Sequence, residues 1–414
     1  MGARSIEYLC ELIAVPSVNP RLAGTADPGG GEQLLTDYLA GFCRRRGWQY
    51  ALQEVHPGRA NLLARIPGGR GDALLWDVHQ DTVSGQGMST EPFTARRSGG
   101  RLYGRGACDV KGAMAAMLAA LERAASTPAG ERPTILLACT VNEECGFTGA
   151  RALASLWQTS DAPAAEPAPM AVDERGGLTR SVLRQTRPAA ALIAEPTELN
   201  VVVAHRGVVR WQCIVEGRAA HSSRPEDGVN ALYAMADVVQ LIKSYHERQL
   251  ARRPADALCG PPTACVTTIA GGTGPNTVPD RAVIDVDRRL TPQEWPEDAY
   301  RDLVAYVAEH TPPGAARVRH DRPWMESRGL APDENGPWAS QIAAVARSVG
   351  AQPQIIGVPY GTNAASIAAA GIPAIVFGPG SIAQAHTADE WIAVEQLELA
   401  EEAYYQIACG AVRL

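Results

Sequence analysis

The sequence predicts an α/β fold, a central mixed sheet flanked by helices, interrupted by a smaller α+β domain. Three observations carry this. Short apolar runs alternate with helical segments through the first half of the chain, the pattern of a sheet covered by helices. From about His205 the order changes to strand, helix, strand, strand. After about Pro323 a helix followed by a strand returns. The expected division is a first α/β part over 1–204, a separate domain over 205–322 and a second α/β part over 323–414.

Each element has its own signature. Ile6, Leu9, Cys10 and Ile13 share one face of an N-terminal helix. LLARIP (62–67), ALLWDV (73–78), TILLACTV (134–141) and AALIAE (190–195) read as buried strands, and KGAMAAMLAALERAA (111–125) as an alanine-rich helix. Residues 159–187 mix Pro, Ala and charge and read as a long surface loop. In the second region VVRWQCIVEG alternates like a strand. A helix with Leu232, Met235, Val238, Val239 and Ile242 on one face follows, then the strands ACVTTIAGG and RAVIDVDRRL. WASQIAAVARSVG is a helix and AIVFGPG a strand. Leu397, Ala400, Tyr404 and Ile407 form the stripe of the last helix.

Composition narrows the function classes. A chain of 414 residues with 46% apolar and 20% charged residues can bury a sizeable core. Its net charge of −7 argues against nucleic-acid or anionic-membrane partners, which call for a basic surface. No apolar run is long enough to span a bilayer, and the N-terminus lacks the basic-then-apolar order of a signal peptide. Nine scattered cysteines without a CxxC pair fit a reducing compartment. The expectation is a soluble cytoplasmic protein. No G-x-S-x-G elbow and no G-x-x-x-x-G-K-[ST] loop follows a strand, which disfavours a serine hydrolase and a P-loop nucleotide enzyme.

The chemistry gathers at strand ends, where open α/β sheets place their sites. In DVHQDTV, His79 and Asp81 are two residues apart and face one side of an extended chain. One can bind a metal while the other orients the imidazole, although HxD alone is a weak signal. In GRGACDVKGAM three glycines surround Asp109 where a helix begins. A helix N-cap is the plainer reading there. TVNEECG places Glu143 and Glu144 side by side after an apolar strand. Neighbouring side chains diverge, so one carboxylate can ligate while the other acts as a base. AALIAEPTE ends a strand on Glu195, and GPGSIAQAHTADEW sets His386 after a Gly/Pro turn.

In order and spacing these motifs resemble the zinc-dependent aminoacylase/carboxypeptidase family, which contains acetylornithine deacetylase, succinyl-diaminopimelate desuccinylase, aminoacylase-1 and glutamate carboxypeptidase. The resemblance runs from IAVPSVNP to AHTADEW. It implies a zinc-peptidase-like catalytic domain with an inserted ferredoxin-like lid and dimerisation domain. It also implies two metals bridged by Asp109. His79 and Glu195 would complete one site, and Glu144 and His386 the other. Asp81 would orient His79, Glu143 would be the general base, and Asp109–Val110 would be a cis peptide. A nitrogen and oxygen donor set suits two Zn²⁺, with Co²⁺ or Mn²⁺ as alternatives. Such a pair can lower the pKa of a bridging water, whose proton Glu143 would take. Cys108 and Cys145 are expected to pack away from the metals.

The same resemblance extends to the substrate. GRAAHSSRPEDGVNAL looks like the lid motif, in which His221 would reach the neighbouring subunit's site and stabilise the oxyanion of a homodimer. Asn276 would contact substrate, and Arg289, in a D-x-R pattern starting at Asp287, would clamp its carboxylate. Adjacent Arg288 leaves that register open. GPGSIAQAH is similar to the acetylornithine deacetylases. PYGTNAAS departs from them, with Asn363 in place of a carboxylate, and Gly361 and Thr362 are expected beside it in the pocket. The expected function is a metal-dependent deacylase of N-acyl-L-amino acids or short peptides. A desuccinylase or a di- or carboxypeptidase shares the chemistry. A non-catalytic amino-acid-binding relative is the reading from a different class.

Overall fold

The structure, a computed structural model, describes residues 4–25, 27–158, 170–171, 178–312, 314, 316–333 and 335–413. They form two compact units. One comprises residues up to 203, 332–356 and 362 onward; the other comprises 204–331 and 357–361.

The first unit is built on a nine-stranded mixed sheet. Taking strands by first residue, their order is 355, 201, 374, 190, 73, 134, 59, 49, 170. Four central neighbours are parallel: Ala374–Val376 with Ala190–Ile193, then Ala73–His79, then Thr134–Thr140. Ala73–His79 and Thr134–Thr140 are buried at every position, as both-face coverage requires. Parallel strands end at one edge of the sheet, so the loops after residues 79, 140, 193 and 376 emerge together.

Lys111–Ala125 has twelve buried residues, half of them alanine, whose small side chains let Val394–Ala408 and Arg4–Ile13 pack closely over it. The N-terminal helix buries a different face from the one expected. Ser5, Tyr8, Leu9, Leu12 and Ile13 are covered, while Cys10 is exposed. The Ser5 amide donates to buried Glu401 at 3.0 Å, on the same covered face as Tyr8. Most of the expected 159–187 loop lies outside the described residues. Its described part includes the strand Met170–Ala171 and the helix Arg180–Gln185, capped by the Thr179 hydroxyl.

The second unit has a five-stranded antiparallel sheet in which four strands run in the order Thr263–Gly271, Arg281–Leu290, Gly207–Glu216, Arg317–His320 and the short Met325–Ser327 also pairs with Gly207–Glu216. Two helices, Ala231–Ser244 and Pro296–His310, pack on it. The chain order is β-α-β-β-α-β, a ferredoxin-like arrangement. The helix Pro296–His310 has no counterpart in the sequence reading. Its stripe of Ala299, Leu303 and Val307 is narrow. Met325–Ser327 pairs with Gly207–Glu216, so this unit continues past the expected boundary at 322 to Ala331. Among the described residues, no helix is long and apolar enough to cross a membrane. All nine cysteines are free.

Candidate metal centre

The loops at the parallel edge bring two groups of donor atoms together. His79, Asp109 and Glu195 form one, and Asp109, Glu144 and His386 the other. Within each group the atoms lie within 4.8 Å of one another. Asp109 belongs to both because its two oxygens face different ways. Oδ1 is 3.0 Å from His79 Nε2, and Oδ2 is 3.4 Å from His386 Nε2. His386 Nε2 is also 3.0 Å from Glu144 Oε1. Glu143 belongs to neither group. The peptide Asp109–Val110 is cis.

The segments arrive by different routes. His79 ends its strand, and its Nδ1 donates to the backbone carbonyl of Asp81 at 2.8 Å, leaving Nε2 to face Asp109. Asp81 was expected to orient His79, and it touches the ring from its backbone. Its carboxylate also stands 3.6 Å from Nδ1, and it accepts the backbone N–H groups of Glu143 and Glu144, at 3.0 and 3.1 Å, and the Asn19 amide at 2.7 Å. The Asp109 loop is gripped by Glu390, which sequence reasoning missed. Its buried carboxylate accepts the N–H groups of Gly106, Cys108 and Asp109 and an Arg105 guanidinium N–H. Glu390 lies in AHTADEW, four residues after His386, and that proximity was the one available signal. Gly106 has a φ of +79°, and a Cβ there would meet Thr82 and Lys111.

The electrostatics are those of a site rich in carboxylates. Burial, reinforced by the neighbouring acids, pushes Glu143 and Glu195 well above the usual carboxylate range. Burial also raises Glu144, to about 6. For Asp109 burial acts in the same direction, but hydrogen bonds to His386 and His79 outweigh it and hold the group low. His386 is lifted to about 11, first by its bond to Asp109 and then by Glu144. Glu195 Oε1 is buried without a hydrogen-bond partner. Two imidazoles facing this many carboxylates leave a deficit of positive charge, and a buried lone carboxylate oxygen is costly unless a cation meets it. The donor set therefore fits divalent metal ions with a preference for nitrogen and oxygen.

The other expected residues are placed differently. Cys108 is buried and donates to the Ser381 carbonyl; Cys145 is buried too, and neither belongs to a donor group. Thr362 and Asn363, expected to line a pocket, are each 1% exposed. Thr362 Oγ1 accepts the Ala364 N–H, and Asn363 turns into the sheet toward Asp77. Gly361, His221, Asn276 and Arg289 belong to the second unit. There His221 is exposed, with Nδ1 2.7 Å from Ser223 Oγ, and its strand pairs it with Thr277, the residue after Asn276. The neighbouring arginines separate clearly. Arg288 is fully buried against Glu294, whereas Arg289 is partly exposed and bonds Asp287.

Comparison with known proteins gives these geometries a context. The model of peptidase family M20/M25/M40 matches residues 75–409. An acetylornithine deacetylase of Klebsiella pneumoniae is 30% identical over 410 residues, 97% of this chain and 96% of that protein. Among solved structures, an M20 family metallo-carboxypeptidase of Sulfolobus solfataricus superposes with a TM-score of 0.74 at 18% identity, covering 98% of this chain and 99% of the other. A dinuclear metal binding peptidase of the M20 family from Bacillus subtilis superposes with a TM-score of 0.62 at 15% identity, covering 98% and 97%.

Proposed function

Because the chain belongs to peptidase family M20/M25/M40, and is therefore a hydrolase acting on amide bonds, we propose that it removes the acyl group from an N-acyl-L-amino acid at a two-metal centre. The observation that carries the two-metal reading is Asp109, whose two oxygens each face a separate donor group. His79 and Glu195 would hold one ion, Glu144 and His386 the other, and Asp109 both. Zn²⁺ is the first choice for this donor set, with Co²⁺ or Mn²⁺ as alternatives. When bound, the ions would supply Lewis acidity toward the substrate carbonyl and the attacking water.

The protein's own part is proton movement and orientation. Glu143 is free of the donor groups and buried beside them. It takes the proton of the attacking water and delivers it to the leaving amine. Its backbone N–H is fixed by Asp81, so the base is held beside the ligand Glu144. Arg289 is the residue we assign to the substrate carboxylate, because Arg288 is committed to the protein interior. Asn276 and Gly361 are assigned to the substrate and His221 to the oxyanion across a homodimer, in a cytoplasmic enzyme. The 30% identity to an acetylornithine deacetylase over nearly the whole chain supports the deacylase reading.

The test is amine release by protein loaded with Zn²⁺ or Co²⁺. The panel contains N-acetylornithine, N-succinyl-diaminopimelate, other N-acyl amino acids and several dipeptides. Turnover of an N-acyl amino acid that disappears with chelator, at two ions per chain, supports the proposal. Turnover confined to dipeptides or to the succinylated substrate would replace it with the peptidase or desuccinylase reading. Full activity at one ion per chain would overturn the two-metal centre.

A further inference from the structure

We propose that the Glu32–Arg59 pair is a positioning device for Glu143, acting through the backbone of Asn142; this rests on the reading of Glu143 as the base. Asn142 is a non-glycine residue with a φ of +62°, immediately before Glu143. Asparagine tolerates that left-handed conformation better than most residues, but it still needs fixing. Every polar atom of Asn142 has a partner. Its N–H donates to Glu32 Oε1 at 2.9 Å, and its carbonyl accepts the Phe147 N–H at 2.8 Å. Its side-chain oxygen accepts from Arg59 Nη2 at 3.0 Å and from Asn19 Nδ2 at 3.1 Å, and its side-chain nitrogen donates to Thr148 Oγ1 at 2.9 Å.

Three successive amides thus hang from two buried carboxylates: Asn142 from Glu32, and Glu143 and Glu144 from Asp81. Asn19 ties the two halves together by donating to both Asp81 and Asn142. Glu32 is fully buried, and a buried carboxylate is tolerated only when it is paired. Arg59 supplies that pairing in a two-pronged contact, through Nε to Oε2 and through Nη2 to Oε1 at 2.7 Å. The same Nη2 reaches the Asn142 side chain. Among the described residues Glu32 and Arg59 belong to neither donor group, and their contacts with Asn142 place them on the turn that carries Glu143 and Glu144.

The experiment compares Glu32→Gln and Arg59→Met with wild type and with Arg59→Lys. A glutamine at position 32 keeps one acceptor but turns an N–H group on Arg59. The readouts are kcat and KM on whichever panel substrate the wild type cleaves, metal content, and hydrogen exchange of the peptide 141–147 against helix 32–46. Expected for Glu32→Gln and Arg59→Met are a kcat loss of about 10–100-fold, the usual effect of removing a residue that orients an active group, an unchanged KM, two bound ions and faster exchange confined to 141–147. Arg59→Lys, which keeps the charge, should lose less. Wild-type kcat per folded, metal-loaded molecule would overturn the proposal, whether or not stability falls. If the wild type cleaves nothing, the functional reading fails, and exchange alone decides this one: unchanged exchange at 141–147 sinks it.

Discussion

The side-chain amide of Asn363 donates to Asp77 Oδ2 at 2.9 Å, closing a buried triangle with Thr140. The Thr140 hydroxyl donates to Asp77 Oδ1 at 2.8 Å and accepts from Asn363 at 3.0 Å. Asp77 lies two residues before His79 on the same strand, so the triangle braces the strand that delivers a donor. Asn363→Leu should therefore cost roughly 1–3 kcal/mol, the penalty for stranding a buried acceptor, and lower the urea midpoint. The relative rates on substrates with and without a side-chain amino group should stay the same. A changed preference in a fully stable variant would return Asn363 to the substrate pocket.

Glu143→Gln removes the proposed proton carrier and leaves both donor groups intact. Turnover should fall about 10²–10⁴-fold, the range for a positioned acid–base. Metal analysis should still find two ions per chain. Near-normal turnover would reassign the base.

Arg288 and Arg289 should respond in opposite ways. Arg288→Ala leaves Glu294 without its buried partner. Breaking such a pair costs about 3–5 kcal/mol, and the lower end applies because Glu294 also holds Arg253. Arg289→Ala should unfold at nearly the wild-type urea concentration while raising KM for a carboxylate-bearing substrate. A destabilised Arg289→Ala with unchanged KM would remove the clamp assignment.

His205 makes stability depend on pH. It is fully buried, its Nδ1 lies 3.0 Å from the Arg206 carbonyl, and its Nε2 has no partner. Burial lowers its pKa to about 4 from 6.5. The folded state thus resists a proton that the unfolded chain accepts. Its contribution is complete above pH 6.5 and is lost as pH falls from 6.5 toward 4, on the order of 3 kcal/mol in all. His205→Asn, which keeps a donor for the carbonyl, should flatten this part of the profile. Urea unfolding of both proteins at pH 7.5, 5.5 and 4.5 provides the check, and parallel profiles would show that His205 takes its proton inside the fold.

Much of the centre was legible in the chain because its donors sit at the ends of apolar strands. Periodicity marks such strands locally; His79 ends one, and Glu144 and Glu195 each follow one within a few residues. The alanine-rich helix 111–125 was legible for the same reason, since every residue of its pattern lies within a few turns of the next. Helix 296–310 was not, because its buried stripe consists of Ala299, Leu303 and Val307 alone.

The sequence by itself determined the alternation of apolar strands and helices, the donor types and the adjacency of a potential ligand to a potential base. Those properties depend on neighbours a few residues away. Only the tertiary structure decided that Asp109 turns its two oxygens to two donor groups, that Asp81 spends its carboxylate on the Glu143 and Glu144 amides, and that Arg288 is interior while Arg289 is not. It also revealed Glu32, Arg59 and Glu390, whose partners lie 27 to 285 residues away along the chain. A hydrogen bond across such a separation exists only once the sheet has brought the two loops together, so no local pattern of residues announces it.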